Sequence, residues 1–207
     1  MTCPLCSSLL SIQKDSHFYD CETCKAIVQD KNHYITADEE KAHYECHNND
    51  VEDVRYQNFT MPITQYVLDT FLPTHKGLDF GSGTGPVISS MLQKKHYDIV
   101  QYDPFFAPDE RVLMSTYDYI VSCEVFEHFH HPKVEIDRLV GLLKPNGLLL
   151  VMTLLYTDSI DFKTWHYRKD PTHIFIYRAE TIAYIAKEKG LEILELTNRF
   201  IVLRKTN

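Results

Sequence analysis

The chain has 207 residues, 44% hydrophobic and 24% charged, a balance that fits one ordinary domain with a small appendage and excludes a disordered chain. No apolar run approaches the roughly 18 residues needed to cross a membrane; the longest, Leu148 to Leu155, is broken by Thr153. The net charge is -8, of which -6 falls in the first sixty residues, so the basic face that nucleic-acid binding needs is missing as a sequence cluster and nucleic acid ranks low among partners. The opening Met1-Thr2-Cys3-Pro4 has no basic stretch followed by an apolar one, which makes a cytoplasmic location the expectation.

Three segments are expected: residues 1–35, 36–60 and 61–207. In the first, short strand-like stretches (Leu9 to Ile12, His17 to Tyr19, Ile27 to Val28) lie among two Cys-x-x-Cys pairs. The second is acidic and polar, with Thr36 placed to cap a helix and Glu39 at the capping-box spacing. The third alternates helix and strand signals. A helix over Ile63 to Leu72 is stopped by Pro73, and the strand Gly77 to Phe80 runs into a glycine-rich turn. A helix over Pro86 to Lys95 and strands over Tyr97 to Tyr102 and Tyr117 to Cys123 follow. Val134, Ile136, Leu139, Val140 and Leu143 mark a helix from Pro132. Gly147 to Thr153 is a continuous apolar run suited to the centre of a parallel sheet. A helix over Ala179 to Lys189 stops at Gly190, and strands Leu191 to Leu196 and Phe200 to Arg204 close the chain as a hairpin. The expected fold is α/β: a Rossmann-like, doubly wound, mostly parallel sheet with a C-terminal antiparallel hairpin.

The strongest local signal is Leu78-Asp79-Phe80-Gly81-Ser82-Gly83-Thr84-Gly85-Pro86, where a strand hands over to a helix. Glycines there allow a tight turn and close approach of a ligand to the backbone. Asp79 sits two residues before the first glycine, and Asp103 ends the next strand, where it could hold a ribose hydroxyl pair. A dinucleotide fingerprint would need glycine or alanine where Pro86 stands, which weakens an NAD-dependent dehydrogenase.

The acid-x-Gly-x-Gly-x-Gly form resembles motif I of class I S-adenosylmethionine (SAM) dependent methyltransferases. Tyr117 through His128 looks like their fourth strand and following loop, and Leu143-Lys144-Pro145-Asn146-Gly147 like the lead into their fifth strand. Glu124-x-x-Glu127-His128 is similar to the pattern of the ubiquinone-biosynthesis O-methyltransferase group. The resemblance spans about residues 60 to 200. It implies SAM as cofactor, with Asp79, Gly81, Ser82, Gly83, Gly85, Asp103, Cys123 and Glu124 around it. It departs between Asp103 and Asp118, where only 14 residues replace the family's helix, third strand and acidic adenine contact. Arg111 to Met114 has room for a short strand at most, so no adenine contact is assigned.

Cys3-x2-Cys6 and Cys21-x2-Cys24 stand 14 residues apart, a spacing that looks like a zinc ribbon, and four thiolates on two turns can surround Zn²⁺. The ribbon is expected to act as scaffold or lid. Cys46 and Cys123 are expected to be ordinary residues, Cys123 close to the cofactor.

Methyl transfer requires an aligned acceptor and, where the acceptor is protonated, a base on loops at the strand C-termini. Two loops qualify: Glu124 to His131, and Trp165 to His173 with its aromatic, basic and imidazole side chains. His173 is the first choice of base, followed by His128 and Glu124; Arg168 and Lys169 could meet an anionic substrate, and Tyr56, His47 and Asn49 could form a lid. The leading expectation is methyl transfer from SAM to an O, N or C acceptor on a small molecule. The alternatives are an RNA methyltransferase docking through the ribbon, and a non-catalytic binding module of the same fold.

Overall fold

The computed structural model describes residues 1–46 and 49–206. The N-terminal segment forms a three-stranded meander of β1 (Ile12–Gln13), β2 (Phe18–Asp20) and β3 (Ile27–Gln29). Helix α1 (Ala37–Glu45) begins as expected: Thr36 accepts from the Glu39 amide, and the Glu39 carboxylate accepts from the Thr36 amide at 2.8 Å. None of its residues is buried.

Helix α2 (Val54–Thr70) starts well before the expected Ile63, because Asp53 caps it by accepting from the Arg55 amide. Pro62 sits inside it. Then follow β4 (Lys76–Phe80), α3 (Val87–Gln93), β5 (Asp98–Tyr102), β6 (Tyr117–Cys123), α4 (Pro132–Leu142) and β7 (Leu143–Met152). After the short α5 (His166–Lys169) and β8 (Phe175–Ile176) come α6 (Ala179–Lys189), β9 (Leu191–Leu196) and β10 (Phe200–Lys205). Gly190 ends α6 in the left-handed conformation, φ 62°.

The main sheet has the order β5-β4-β6-β7-β10-β9, with β5, β4, β6 and β7 parallel and the hairpin β9–β10 antiparallel. Residues Glu110–Met114 form a 3-10 helix, which corrects the short strand considered for Arg111 to Met114. The fourteen residues between β5 and β6 are taken up by the one crossover that returns the chain to β6, which leaves no length for a further strand beside β5, so β5 remains the outer strand.

The alternation along β7 divides the core. Leu148, Leu150 and Met152 pack with Ile63 and Val67 of α2 and with Val87, Ile88 and Leu92 of α3. Leu149 and Val151 share the opposite core with Ile136 and Leu139 of α4 and with Ile182 and Ile185 of α6. That second core also contains Cys3, Leu5, Leu10, Cys21, Cys24 and Val28, so the N-terminal segment packs on the sheet domain. The connection is also a backbone one: β3 pairs antiparallel with β8, placing Val28 opposite Phe175 and making a second sheet of order β1-β2-β3-β8.

Candidate functional site

The turn after β4 is held from both sides. Gly81 (φ 78°) and Gly83 (φ 64°) take left-handed conformations that side chains disfavour, and a Cβ on Gly81 would lie 2.4 Å from Val125. The amides of Gly81 and Ser82 donate to the Tyr102 carbonyl at the end of β5. The Gly83 amide donates to Asp103 Oδ2 at 3.0 Å, while Asp103 Oδ1 accepts from the amides of Phe105 and Phe106 at 2.8 and 3.0 Å.

Asp79 lies behind the turn. Ser89 of α3 donates to its Oδ2 at 2.6 Å, and burial pushes its carboxyl up to about 6. The structure thus separates the two acids read as cofactor contacts: Asp103 faces a cavity of about 650 Å³, and Asp79 ties strand to helix beside a second, far smaller cleft.

Gly81, Ser82, Gly83 and Asp103 form one wall of the large cavity, joined by Phe105, Phe106, Cys123 and Glu124. Gly85 is outside that lining; a Cβ there would lie 1.7 Å from the Asn49 carbonyl oxygen. Two buried side-chain oxygens on this wall, Ser82 Oγ and Glu124 Oε1, have no hydrogen-bond partner among the described residues. Glu124 adopts a left-handed φ of 52°, which costs of order 1 kcal/mol. Burial, and then Glu127, push its carboxyl up to about 8.

The opposite wall carries His128, Tyr167, Asp170 and His173, with Glu127 buried behind them. The Tyr167 hydroxyl donates to Glu127 Oε1, and the Thr153 hydroxyl donates to Glu127 Oε2 at 2.9 Å. Burial raises the Glu127 carboxyl to about 7. His128 Nδ1 donates to the Thr172 carbonyl at 3.0 Å, and His173 Nδ1 donates to the Tyr167 carbonyl at 2.8 Å. A carbonyl only accepts, so both rings carry their proton on Nδ1 and leave Nε2 as a lone-pair acceptor. Burial lowers both imidazoles; His173, also facing His128, comes down to about 3. Burial opposes ionisation of Asp170, but the Thr172 hydroxyl and the His173 ring outweigh it and hold the carboxyl at about 2. Glu127, His128 and His173 bring one ligand-type atom each within 4.8 Å of the others.

Several lining residues carry no sequence pattern. Tyr44 and Glu40 of α1 reach the cavity, with Tyr44 edge-on to His128 at 5.3 Å and the Glu40 carboxylate 3.5 Å from His130 Nε2. His43 Nε2 lies 3.3 Å from Asp170 Oδ2, so α1 bridges the cavity mouth. Tyr56 also lines the cavity, and Asn49 reaches its edge; His47, read as a lid residue, lies outside the described residues. Phe105 and Phe106 had a weak signal, two adjacent aromatics directly after Asp103-Pro104. Arg168 does not face the cavity: its Nε donates to Asp15 Oδ2 at 2.9 Å. Lys169 is likewise outside the lining.

At the N-terminus, Cys3 and Cys24 place their sulfurs 3.6 Å apart and Cys6 and Cys21 theirs 3.4 Å apart, with all four sulfurs within 4.8 Å of one another. Zinc at about 2.3 Å from four tetrahedral sulfurs has sulfur–sulfur edges of roughly 3.8 Å, close to these spacings. Contact with Cys24 holds the Cys3 thiol down at about 5, and the Cys24 thiol is correspondingly raised.

A search of the curated proteins returns no match. Among solved structures, 1,6-didemethyltoxoflavin-N1-methyltransferase of Burkholderia thailandensis, solved with that substrate and S-adenosylhomocysteine (SAH), superposes with a TM-score of 0.57 at 12% identity, over 93% of this chain and 100% of its own. The magnesium protoporphyrin IX methyltransferase of Synechocystis, solved with SAH, superposes with a TM-score of 0.52 at 13% identity, over 84% of this chain and 97% of its own. An O-methyltransferase family protein of B. thailandensis has a TM-score of 0.50 at 13% identity; 80% of this chain matches it but spans only 62% of its length. At such identities the likeness is one of fold. The family profile described as "Methyltransferase domain" goes further, matching residues 52–196, from the cap of α2 to the end of β9, with the glycine turn and both cavity walls inside that range. The chain therefore belongs to the methyltransferase domain family.

Proposed function

We propose that the chain binds SAM on the wall made by Gly81, Ser82, Gly83 and Asp103 and transfers its methyl group to an O, N or C atom of a small molecule held against His128 and His173. The observation that carries this reading is the single cavity whose one side is the glycine turn with Asp103 and whose other side is the histidine pair. The unpartnered Ser82 Oγ and Glu124 Oε1 fit a ligand rich in polar groups, and Phe105 and Phe106 give an aromatic face for its base. SAM supplies a methyl already activated on a sulfonium, so the protein's task is alignment and proton removal.

His128, the more open of the two imidazoles, takes the acceptor's proton on Nε2. Asp170 and Glu40, whose carboxyls are both held below their ordinary values, favour the resulting imidazolium electrostatically. His173 stays neutral and shapes the acceptor side. Helix α1 and Tyr56 cover the cavity and exclude water. The resemblance to the ubiquinone-biosynthesis O-methyltransferase group rests on Glu124-x-x-Glu127-His128, and the cysteine cluster fits a structural zinc ribbon. Segments 1–35, 36–60 and 61–207 are assigned as ribbon, lid segment and methyltransferase domain, and the reaction is placed in the cytoplasm.

Calorimetric titration with SAM and, separately, NAD tests the cofactor. Binding of SAM alone, weakened by Asp103→Ala, is expected; binding of NAD instead would overturn the reading. With an acceptor in hand, His128→Ala should slow transfer by about 10²- to 10⁴-fold. An unchanged rate in both His128→Ala and His173→Ala would remove the histidines from proton transfer.

A further inference from the structure

The loop that forms the acceptor wall has little regular structure of its own. Between Leu154 and Tyr177 it contains one turn of helix, α5, and the two residues of β8. It is held on one side by the sheet domain, through Glu127, His128 and Thr153, and on the other by the N-terminal segment. β8 pairs with β3, and the Gln29 amide donates to the Ile174 carbonyl at 2.9 Å. Arg168 donates from Nε to Asp15 Oδ2, and its guanidinium lies over the Phe18 ring, 4.9 Å from the centroid. Both side chains of that ion pair are largely enclosed, 18% and 6% exposed. Asp15 is itself fixed by accepting from the amides of His17 and Phe18. Trp165 and Tyr167 are buried in one cluster with Phe18 and Ile27.

Arg168 is chain neighbour to Tyr167, whose hydroxyl reaches Glu127 and whose carbonyl sets the His173 tautomer. The cofactor wall stands on β4 and β5, neither of which pairs with the ribbon strands.

We propose that Arg168 is a positioning residue: through Asp15 and Phe18 it locks the acceptor loop onto the cysteine ribbon, so that metal held by Cys3, Cys6, Cys21 and Cys24 sets the placement of Tyr167 and His173 while the cofactor wall forms without it. The assignment rests on the proposed roles of the two walls and of zinc. It makes the ribbon part of the active site's construction rather than a separate docking module.

The chain has a single tryptophan, Trp165, located at this junction. The test uses the full chain and three readouts: zinc content, Trp165 emission with amide exchange over residues 165–176, and SAH affinity by calorimetry. Arg168→Met, and separately stripping of zinc with a chelator, should each shift Trp165 emission to longer wavelength and speed exchange in the loop, with SAH affinity unchanged. Reversing the pair, Asp15→Arg with Arg168→Asp, should recover a large part of the protection lost in Arg168→Met. Unchanged emission and exchange in Arg168→Met overturn the proposal, as does a fall in SAH affinity that parallels loss of loop order. Zinc content separates the two dependencies: protein that purifies without zinc and keeps an ordered loop refutes the metal's part, and Arg168→Met then decides the positioning role alone.

Discussion

The Gly83 amide and the Asp103 carboxylate meet at 3.0 Å, joining the turn after β4 to the loop after β5. One oxygen of Asp103 holds the glycine turn and the other holds the amides of Phe105 and Phe106, so a single side chain sets the width of the cofactor wall. Asp103→Ala leaves three amides without this acceptor. A buried donor left unpaired costs about 1–3 kcal/mol, so the SAH dissociation constant is expected to rise at least about tenfold. Calorimetry with SAH checks it; an unchanged constant would show that the turn holds its shape unaided.

Asp79 gives a prediction of the opposite kind. Its folded carboxyl titrates near 6 against an ordinary 3.8, because it is buried. A carboxyl raised by folding has its full stability below the unfolded value and loses it as pH rises through the folded value. The loss therefore runs from about pH 4 to about pH 7 and amounts to about 3 kcal/mol at pH 8. Asp79→Asn keeps an acceptor for Ser89 and removes that cost. It should raise the melting temperature at pH 8, change it little at pH 4, and disturb SAH binding less than any change at Asp103. A lower melting temperature at pH 8 would refute this.

His173 drives the acid limb. Its imidazole is depressed from 6.5 to about 3 by burial, so the unfolded chain binds the proton first and stability falls as pH drops below about 6.5. Glu127, raised from 4.5 to about 7, has the opposite slope from about pH 4.5 to 7. The two slopes oppose each other between about pH 4.5 and 6.5, so His173→Gln, which removes one of them, should raise the melting temperature of the ligand-free protein at pH 4 relative to its value at pH 7. An unchanged difference between pH 4 and pH 7 in His173→Gln would count against the His173 assignment.

The six thiols divide by surroundings. Cys46 is exposed, burial and the Glu124 charge raise the Cys123 thiol, and the remaining four are clustered. Since the thiolate is the reacting form, Cys46 should be alkylated first in the native protein, with Cys123 slow. Chelation should then release four further thiols. Equal labelling of all six before chelation would be incompatible with a filled metal site.

What could be read from the sequence follows the physics of each signal. Helix Ala179–Lys189 and strand Tyr117–Cys123 lie where periodicity and Gly190 place them, because local pattern and burial agree there. The start of α2 is hidden in the sequence: the apolar pattern is clear only from Ile63, while the helix begins at the Asp53 cap. The pairing of β3 with β8 carries no local signal, since a two-residue strand has no period to detect. That Asp103, His128 and His173 line one cavity follows from their places after the strand C-termini, which the sequence shows. The separation of Asp79 from the cavity is not legible there, because Ser89 competes for its carboxylate from a helix that the motif does not mention.

The β3–β8 ladder also bears on the order in which the molecule can be made. The cysteine-bearing segment is synthesised well before the strand that covers its β3 edge, which lies near residue 175. At 5–20 residues per second that edge waits on the order of ten seconds for its partner. Until then its backbone groups are open to pairing with another nascent chain. The four clustered cysteines can come together before this wait ends, but the edge cannot be sealed until β8 is made. Expression conditions that slow elongation between β3 and β8 should therefore favour aggregation more than equal delays placed after β8.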